Sequence, residues 1–290
     1  MHGGPFANIA HGCNSVLATK MALSSCDYVV TESGFGSDLG AEKFLDIKCR
    51  LSGLRPKATV IVVTSGALKL HGGVNDKDIK LPNLEALKAG LPNLQRHVQN
   101  MKKFGQSVIV SFNQFAYDTV EEIDYLTNWC KQEGVVFAIN NGFTSGGEGA
   151  ASLAQKVVDV IENNPSKDIN FTYDLEDPIR TKIEKIAKKI YRAGEVTFST
   201  TAEAKLKSYE RNGWTNLPIC IAKTQYSFTD DPKKINAPEG FELHIRDLVI
   251  NAGAGFIVAV AGDIMRMPGL PEDPQANRIK LVNGEIEGLS

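Results

Sequence analysis

Strand-sized apolar runs, separated by stretches of helical period, constrain this chain more than any other feature. Asp27-Tyr28-Val29-Val30-Thr31, Ala58 to Thr64, Ser107 to Phe112 and Val135 to Ile139 are rich in β-branched residues and read as buried strands. Between them, Ala41 to Leu54, Leu84 to Phe104 and Thr119 to Glu133 read as helices. Strands joined through helices need crossover connections, so the alternation predicts an α/β fold with a mainly parallel sheet and flanking helices. Farther on, Gly146-Gly147-Glu148-Gly149 leads into a helix from Ala150 to about Asn163. A charged helix, Pro178 to Tyr191, gives way to strands that include Ile219 to Lys223 and Leu248 to Ile250. The expected division is into residues 1–91, 92–190 and 191–290, the last two being smaller α/β domains. The first boundary falls at Leu91-Pro92, inside a helical pattern.

Composition narrows the function classes. The 290 residues are 42% hydrophobic and 23% charged, which excludes disordered and low-complexity chains. Lys plus Arg number 32 against 34 Asp plus Glu, so no net positive charge recruits nucleic acid or an anionic membrane. The five cysteines are an odd, scattered set without CxxC, which suits reduced thiols better than a disulfide framework or a zinc cluster. Apolar runs such as Phe256 to Ala261 are too short to span a bilayer, and no secretory signal opens the sequence. The expectation is a soluble, cytoplasmic protein with no nucleic-acid or membrane partner.

In parallel sheets, ligands sit where strands end and loops begin. The opening Gly3-Gly4-Pro5-Phe6-Ala7-Asn8-Ile9-Ala10-His11-Gly12 lets backbone approach a ligand, with Asn8 and His11 to orient or polarise it; a plain loop with one structural histidine is an equal reading. Thr31 to Lys43 holds glycines that aim amides at an anion, while Asp38 serves either as a helix N-cap, the first choice, or as a site carboxylate. In Thr64 to Gly73, Lys69 offers phosphate a point charge beside His71; a solvated lysine in a capped turn is the plainer alternative. His11 and His71 lack metal-site spacing, so no metal is assigned. Phe115 and Phe143 occupy two strand-end loops, where paired rings hold a flat heterocycle, although core packing is the commoner fate of phenylalanine. No GxxxxGK[ST], no Gly-Lys pair and no GxSxG occurs.

Longer motifs carry a resemblance. Gly3 to Ser15 (GGPFANIAHGCNS), Thr31 to Phe44 (TESGFGSDLGAEKF), Ala67 to Gly73 (ALKLHGG), Gly146 to Gly149 (GGEG), Pro218 to Thr224 (PICIAKT) and Met267 to Pro271 (MPGLP) together resemble the formate–tetrahydrofolate ligases. That resemblance covers essentially the whole sequence. It implies formylation of tetrahydrofolate at N10 in one-carbon metabolism, with ATP, formate and formyl phosphate as the activated intermediate. It further implies Mg with the ATP, stimulation by a monovalent cation, and a homo-oligomer. By motif, Gly40 and Ala41 fall where the family contacts formyl phosphate through its backbone, and Asn8, His11, Asp38, Lys69 and His71 stand on the same side. Phe115 falls beneath the pterin, Phe143 where bacterial relatives often carry tryptophan, and Ile139 lines the same pocket.

Two departures shape the expectation. Relatives have a long preceding region that holds a phosphate loop, its lysine and an arginine on formyl phosphate. They also usually place arginine just before the ALKLHGG motif, where Ser65-Gly66 stands here. The chain is therefore expected to be the C-terminal part of a ligase: the remainder of a P-loop-type nucleotide domain, a folate-side domain and a C-terminal domain. Alone it is expected to be inactive without a phosphate-loop half. The alternative is a non-catalytic folate-binding or regulatory module that associates with a full-length ligase.

Overall fold

Three of the β-branched runs form one parallel sheet in the computed structural model, which describes residues 7, 9–264, 272–274, 277–282 and 285–287. Ahead of the sheet lie α1 (Val16–Leu23), α2 (Gly40–Lys43), a π-helical turn (Phe44–Cys49) and α3 (Arg50–Ser52). Strands β1 (Thr59–Val63), β2 (Val108–Asn113) and β3 (Val136–Asn140) then pair in sequence order, Thr59 opposite Val108 and Ile109 opposite Val136. The crossovers are helical. Helices α4 (Ser65–His71) and α5 (Leu84–Lys103) join β1 to β2, α6 (Val120–Gln132) joins β2 to β3, and α7 (Gly142–Asn163) follows β3.

Polar caps fix where these helices start. Thr64 accepts the Ala67 amide at the head of α4, and Asn83 accepts the Ala86 amide at the head of α5. At the head of α6, Thr119 and Glu122 form a reciprocal capping box. Glu122 reaches farther: its Oε1 also accepts the Asn83 amide at 3.0 Å and the Lys69 ammonium at 2.9 Å. One buried carboxylate thus ties together α4, α5 and α6.

The rest of the chain builds a second, mixed sheet. After α8 (Ile179–Ile186) and a second π-helical turn (Ala187–Tyr191) come β4 (Glu195–Phe198), α9 (Thr200–Arg211), β5 (Ile219–Ala222), β6 (Glu242–Asn251) and β7 (Phe256–Ala261). Their order is β4-β6-β7-β5, with β6 and β7 antiparallel and the outer pairs parallel. A short antiparallel pair, β8 (Lys280–Val282) with β9 (Glu285–Glu287), completes the described strands. One continuous apolar cluster runs through both sheets and includes Leu87, Val110, Ile183 and Ile245. Helix α5 also passes unbroken through Pro92, which faces solvent.

Two expectations need correction. Asp27 to Thr31 is not a strand: it belongs to no helix or ladder and is largely exposed, with Val30 at 92%. Among the described residues no backbone group of this segment has a hydrogen-bonding partner. A strand exists only through its neighbour, and composition says nothing about whether one is at hand. The helix expected over Ala41 to Leu54 is a composite of α2, a π-helical turn and α3, ended by Gly53 at φ 74°. Among the described residues, no helix is long and apolar enough to cross a membrane.

Candidate functional site

Because β1, β2 and β3 are parallel, their carboxyl ends open along one edge, and the loops leaving them meet there. The strand-end asparagines join two of the loops: Asn140 Nδ2 donates to Asn113 Oδ1 at 3.0 Å, and the Gln114 amide donates to the Asn140 carbonyl at 3.2 Å. Asp118 joins the third, accepting the Ser65 hydroxyl through Oδ1 and the Phe115 amide through Oδ2 at 2.7 Å. Phe115 is thereby held in a closed turn, its ring stacked on Tyr117 with centroids 5.3 Å apart and planes 3° from parallel.

The aromatic residues at this edge are not core. Phe115 is 40% exposed and Phe143 97% exposed, which overturns the packing reading for both. Solvent exposure of this extent on phenylalanine has no folding benefit, and adjacent strand ends place the two rings on neighbouring loops. Ile139 sits half-buried in β3 opposite Phe112, one residue before the strand ends. The Phe143 turn is shaped by glycine. A β-carbon on Gly149 would lie 2.4 Å from the Asn141 carbonyl oxygen, whose own amide donates back to the Gly149 carbonyl.

A second polar constellation gathers under the glycine loop. The Gly40 amide donates to the Gly34 carbonyl at 2.9 Å and the Ala41 amide to the Gly36 carbonyl at 3.1 Å, so both amides are spent within the loop. A β-carbon on Gly40 would stand 2.2 Å from the Gly34 oxygen. Asp38 does not cap α2, whose first turn follows Leu39. Instead its Oδ2 accepts the buried Lys223 ammonium at 2.7 Å, and Lys223 also donates to the carbonyls of Thr224 and Ser227. Beside them the Ser37 amide donates to His97 Nδ1, and Asn100 donates to the Ser37 hydroxyl. Burial holds the His97 imidazole down at about 4, so it is neutral and its Nδ1 is an acceptor.

Deeper still lie two carboxyls. Both oxygens of Glu42 and Oδ2 of Asp46 are buried without a partner among the described residues. Burial, then the adjacent Asp46, pushes the Glu42 carboxyl well above the usual carboxylate range, and burial raises Asp46 as well. Asp46 keeps its charge partners through Oδ1, which accepts from Arg50 and the Thr172 amide.

The remaining sequence candidates are dispersed. Lys69, expected to serve phosphate or to be solvated, is fully buried and committed to Glu122 and the Leu81 carbonyl. His71 Nδ1 accepts the Asn236 amide at 2.9 Å, and burial lowers its affinity for a proton. His11 lies edge-on to Phe256, its protonation disfavoured by burial, then by Lys48 and Lys43. Asn8 and the Met267 to Pro271 motif lie outside the described residues. Among those described, no three His, Cys, Asp or Glu side chains are grouped to hold a metal. His97, Lys223 and Glu42 were not assigned from the sequence. Lys223 and Glu42 stand inside quoted motifs, PICIAKT and TESGFGSDLGAEKF, but Lys223 meets its partner across 185 residues.

Fold and site together define an α/β chain whose parallel strand ends present exposed aromatic faces. The chain belongs to the formate–tetrahydrofolate ligase family, whose model matches residues 1–290. It is 60% identical over 290 residues to the formate–tetrahydrofolate ligase of Parabacteroides distasonis, covering all of this chain and 52% of that relative. The ligase of Bacteroides thetaiotaomicron is 59% identical with the same coverage, and that of Petrotoga mobilis 54% identical over 291 residues. The chain spans about half the length of the curated relatives it matches.

Proposed function

We propose that this chain supplies the folate-binding part of a formate–tetrahydrofolate ligase, an ATP-dependent C–N ligase. The observation that carries this reading is the pair of exposed phenylalanines at adjacent parallel strand ends, Phe143 at 97% and Phe115 at 40%. A pterin is flat and heteroaromatic, so it gains from two ring faces with little reorganisation of the loops. Ile139 would add an apolar wall. The amides of Gly40 and Ala41 would meet formyl phosphate only after leaving the Gly34 and Gly36 carbonyls, which makes anion binding at this loop a competition between backbone bonds.

ATP and formate enter as substrates of the complete ligase, together with Mg and an activating monovalent cation. Among the described residues no acidic cluster fits a metal, and no role in holding one is assigned here. Phosphoryl transfer depends on positioning and charge stabilisation, which Lys69, enclosed by Glu122, does not provide. The chain alone is therefore expected to show negligible ATP-dependent formylation. Assembly as a homo-oligomer and a cytoplasmic location complete the proposal.

Calorimetric titration with tetrahydrofolate tests it. Phe143→Ala should weaken binding by about twofold to tenfold, the worth of one aromatic face, and leave Tm nearly unchanged because the ring is almost wholly exposed. Equal affinities of wild type, Phe143→Ala and Phe115→Ala would remove the folate site from this edge.

A further inference from the structure

We propose that Asn113 is a specificity-determining residue, whose carboxamide nitrogen donates to the 4-oxo oxygen of a pterin held by the Phe115 and Phe143 loops. The inference rests on the folate reading above and assigns one hydrogen-bond partner within it. Asn113 ends β2, two residues before Phe115, and Asn140 ends β3, three residues before Phe143. The two are register partners, so their side chains leave the same face of the sheet, side by side where both aromatic loops begin.

A relay of hydrogen bonds fixes which way each carboxamide points. The Gly142 backbone amide can only donate, and it meets Asn140 at 2.9 Å, so the atom there is Oδ1. Asn140 then presents Nδ2 to its neighbour at 3.0 Å, which makes the receiving atom Asn113 Oδ1. Asn113 is left with Nδ2, whose N–H donors find no acceptor among the described residues. Ser111 Oγ, on the same face one pleat back, is buried and also unpartnered, so Asn113 Nδ2 has not turned inward to meet it. A half-buried carboxamide with one end locked and the other unpaired gives folding little, and it gains a hydrogen bond when a ligand carbonyl completes it. Tetrahydropterin offers one carbonyl, the 4-oxo group. A 4-amino analogue sets N–H donors in the same place, donor against donor, and Asn113 cannot turn to suit it without breaking the relay.

Calorimetric titration of the full chain with tetrahydrofolate and with its 4-amino analogue, tetrahydroaminopterin, tests the assignment. The chain should favour tetrahydrofolate by about tenfold, the difference between a matched and a mismatched hydrogen bond. Asn113→Asp still accepts from Asn140 Nδ2 but turns a carboxylate oxygen toward the ligand. The preference should then reverse, with tetrahydrofolate weakened by about tenfold or more. Asn140 has both ends of its carboxamide committed and acts only through its neighbour. In Asn140→Asp the second oxygen demands a donor, so the Asn113 carboxamide flips, exposes Oδ1 and reverses the preference again. Melting curves identify a variant that fails to fold, and the other, on the adjacent strand, then decides. A merely structural pair would weaken both ligands alike. An unaltered preference in the folded variants, or equal binding of both ligands by the wild type, would overturn the proposal. Phe143→Ala and Phe115→Ala in the same series keep the two readings apart. Affinity that depends on the phenylalanines with a preference that ignores both asparagines faults the relay alone, whereas affinity that ignores both phenylalanines removes the folate site itself.

Discussion

Replacing Lys223 by methionine removes an ammonium but keeps most of the side chain's length and volume. In the native structure that ammonium is fully buried and donates to Asp38 Oδ2 and to the carbonyls of Thr224 and Ser227. The substitution strands a carboxylate that makes no other ion pair among the described residues and is itself nearly buried. Breaking one side of a buried pair costs about 3–5 kcal/mol, mostly the desolvation of the charge left behind. The parallel change Lys69→Met is milder by the same reasoning. Glu122 keeps the amides of Asn83 and Thr119 after losing its lysine, so about 1–3 kcal/mol is expected. Urea unfolding at neutral pH measures both from shifts in midpoint at constant slope. A double variant, Lys223→Met with Asp38→Asn, should recover part of the loss, because no charge is then stranded. A Lys223→Met protein within 1 kcal/mol of wild type, or one less affected than Lys69→Met, would refute the argument that the stranded carboxylate decides the cost.

Two further substitutions test the network beneath the glycine loop. His97 titrates at about 4 in the folded chain against an ordinary 6.5, so the native state binds fewer protons and its contribution to stability is lost as pH falls from 6.5 through 4. His97→Gln should therefore gain stability relative to wild type across that interval, by up to about 3 kcal/mol, in melts recorded at stepped pH; a constant difference would show that the ring is not held neutral. Gly40→Ala drives a β-carbon into the Gly34 carbonyl and should destabilise by about 1–3 kcal/mol by chemical denaturation, whereas an unchanged midpoint would mean that the loop relaxes freely.

Local pattern made the parallel unit legible. Expected strands at Ala58 to Thr64, Ser107 to Phe112 and Val135 to Ile139 lie within a residue of β1, β2 and β3, and the helix over Leu84 to Phe104 matches α5 almost to its ends. These elements carry their own signals: β-branched runs for strands, periodic apolar residues for helices. Segment 27–31 has the same composition and no ladder, because pairing is a property of two segments and only one is legible at a time. The charged residues mislead for a related reason. Lys69 reads as a free cation in sequence, yet the Thr119-Val120-Glu121-Glu122 capping signature, which is visible there, already places a carboxylate where α6 begins. Asp38, Lys223 and His97 come together from three distant stretches, and no spacing rule reaches that far.

Glu122 has a consequence for how tightly the strand-end loops can grip a ligand. Its two oxygens fasten the first residues of α5 and α6 to the middle of α4, and Thr119, one of its partners, directly follows the turn that carries Phe115. Asp118 clamps the same turn to Ser65 at the head of α4. The Phe115 ring is therefore presented on a brace whose conformational freedom was surrendered during folding, not at the moment of binding. A ligand that stacks there has little ordering of the protein to offset, and the contact is expected to convert into affinity more fully than the same ring on a slack loop.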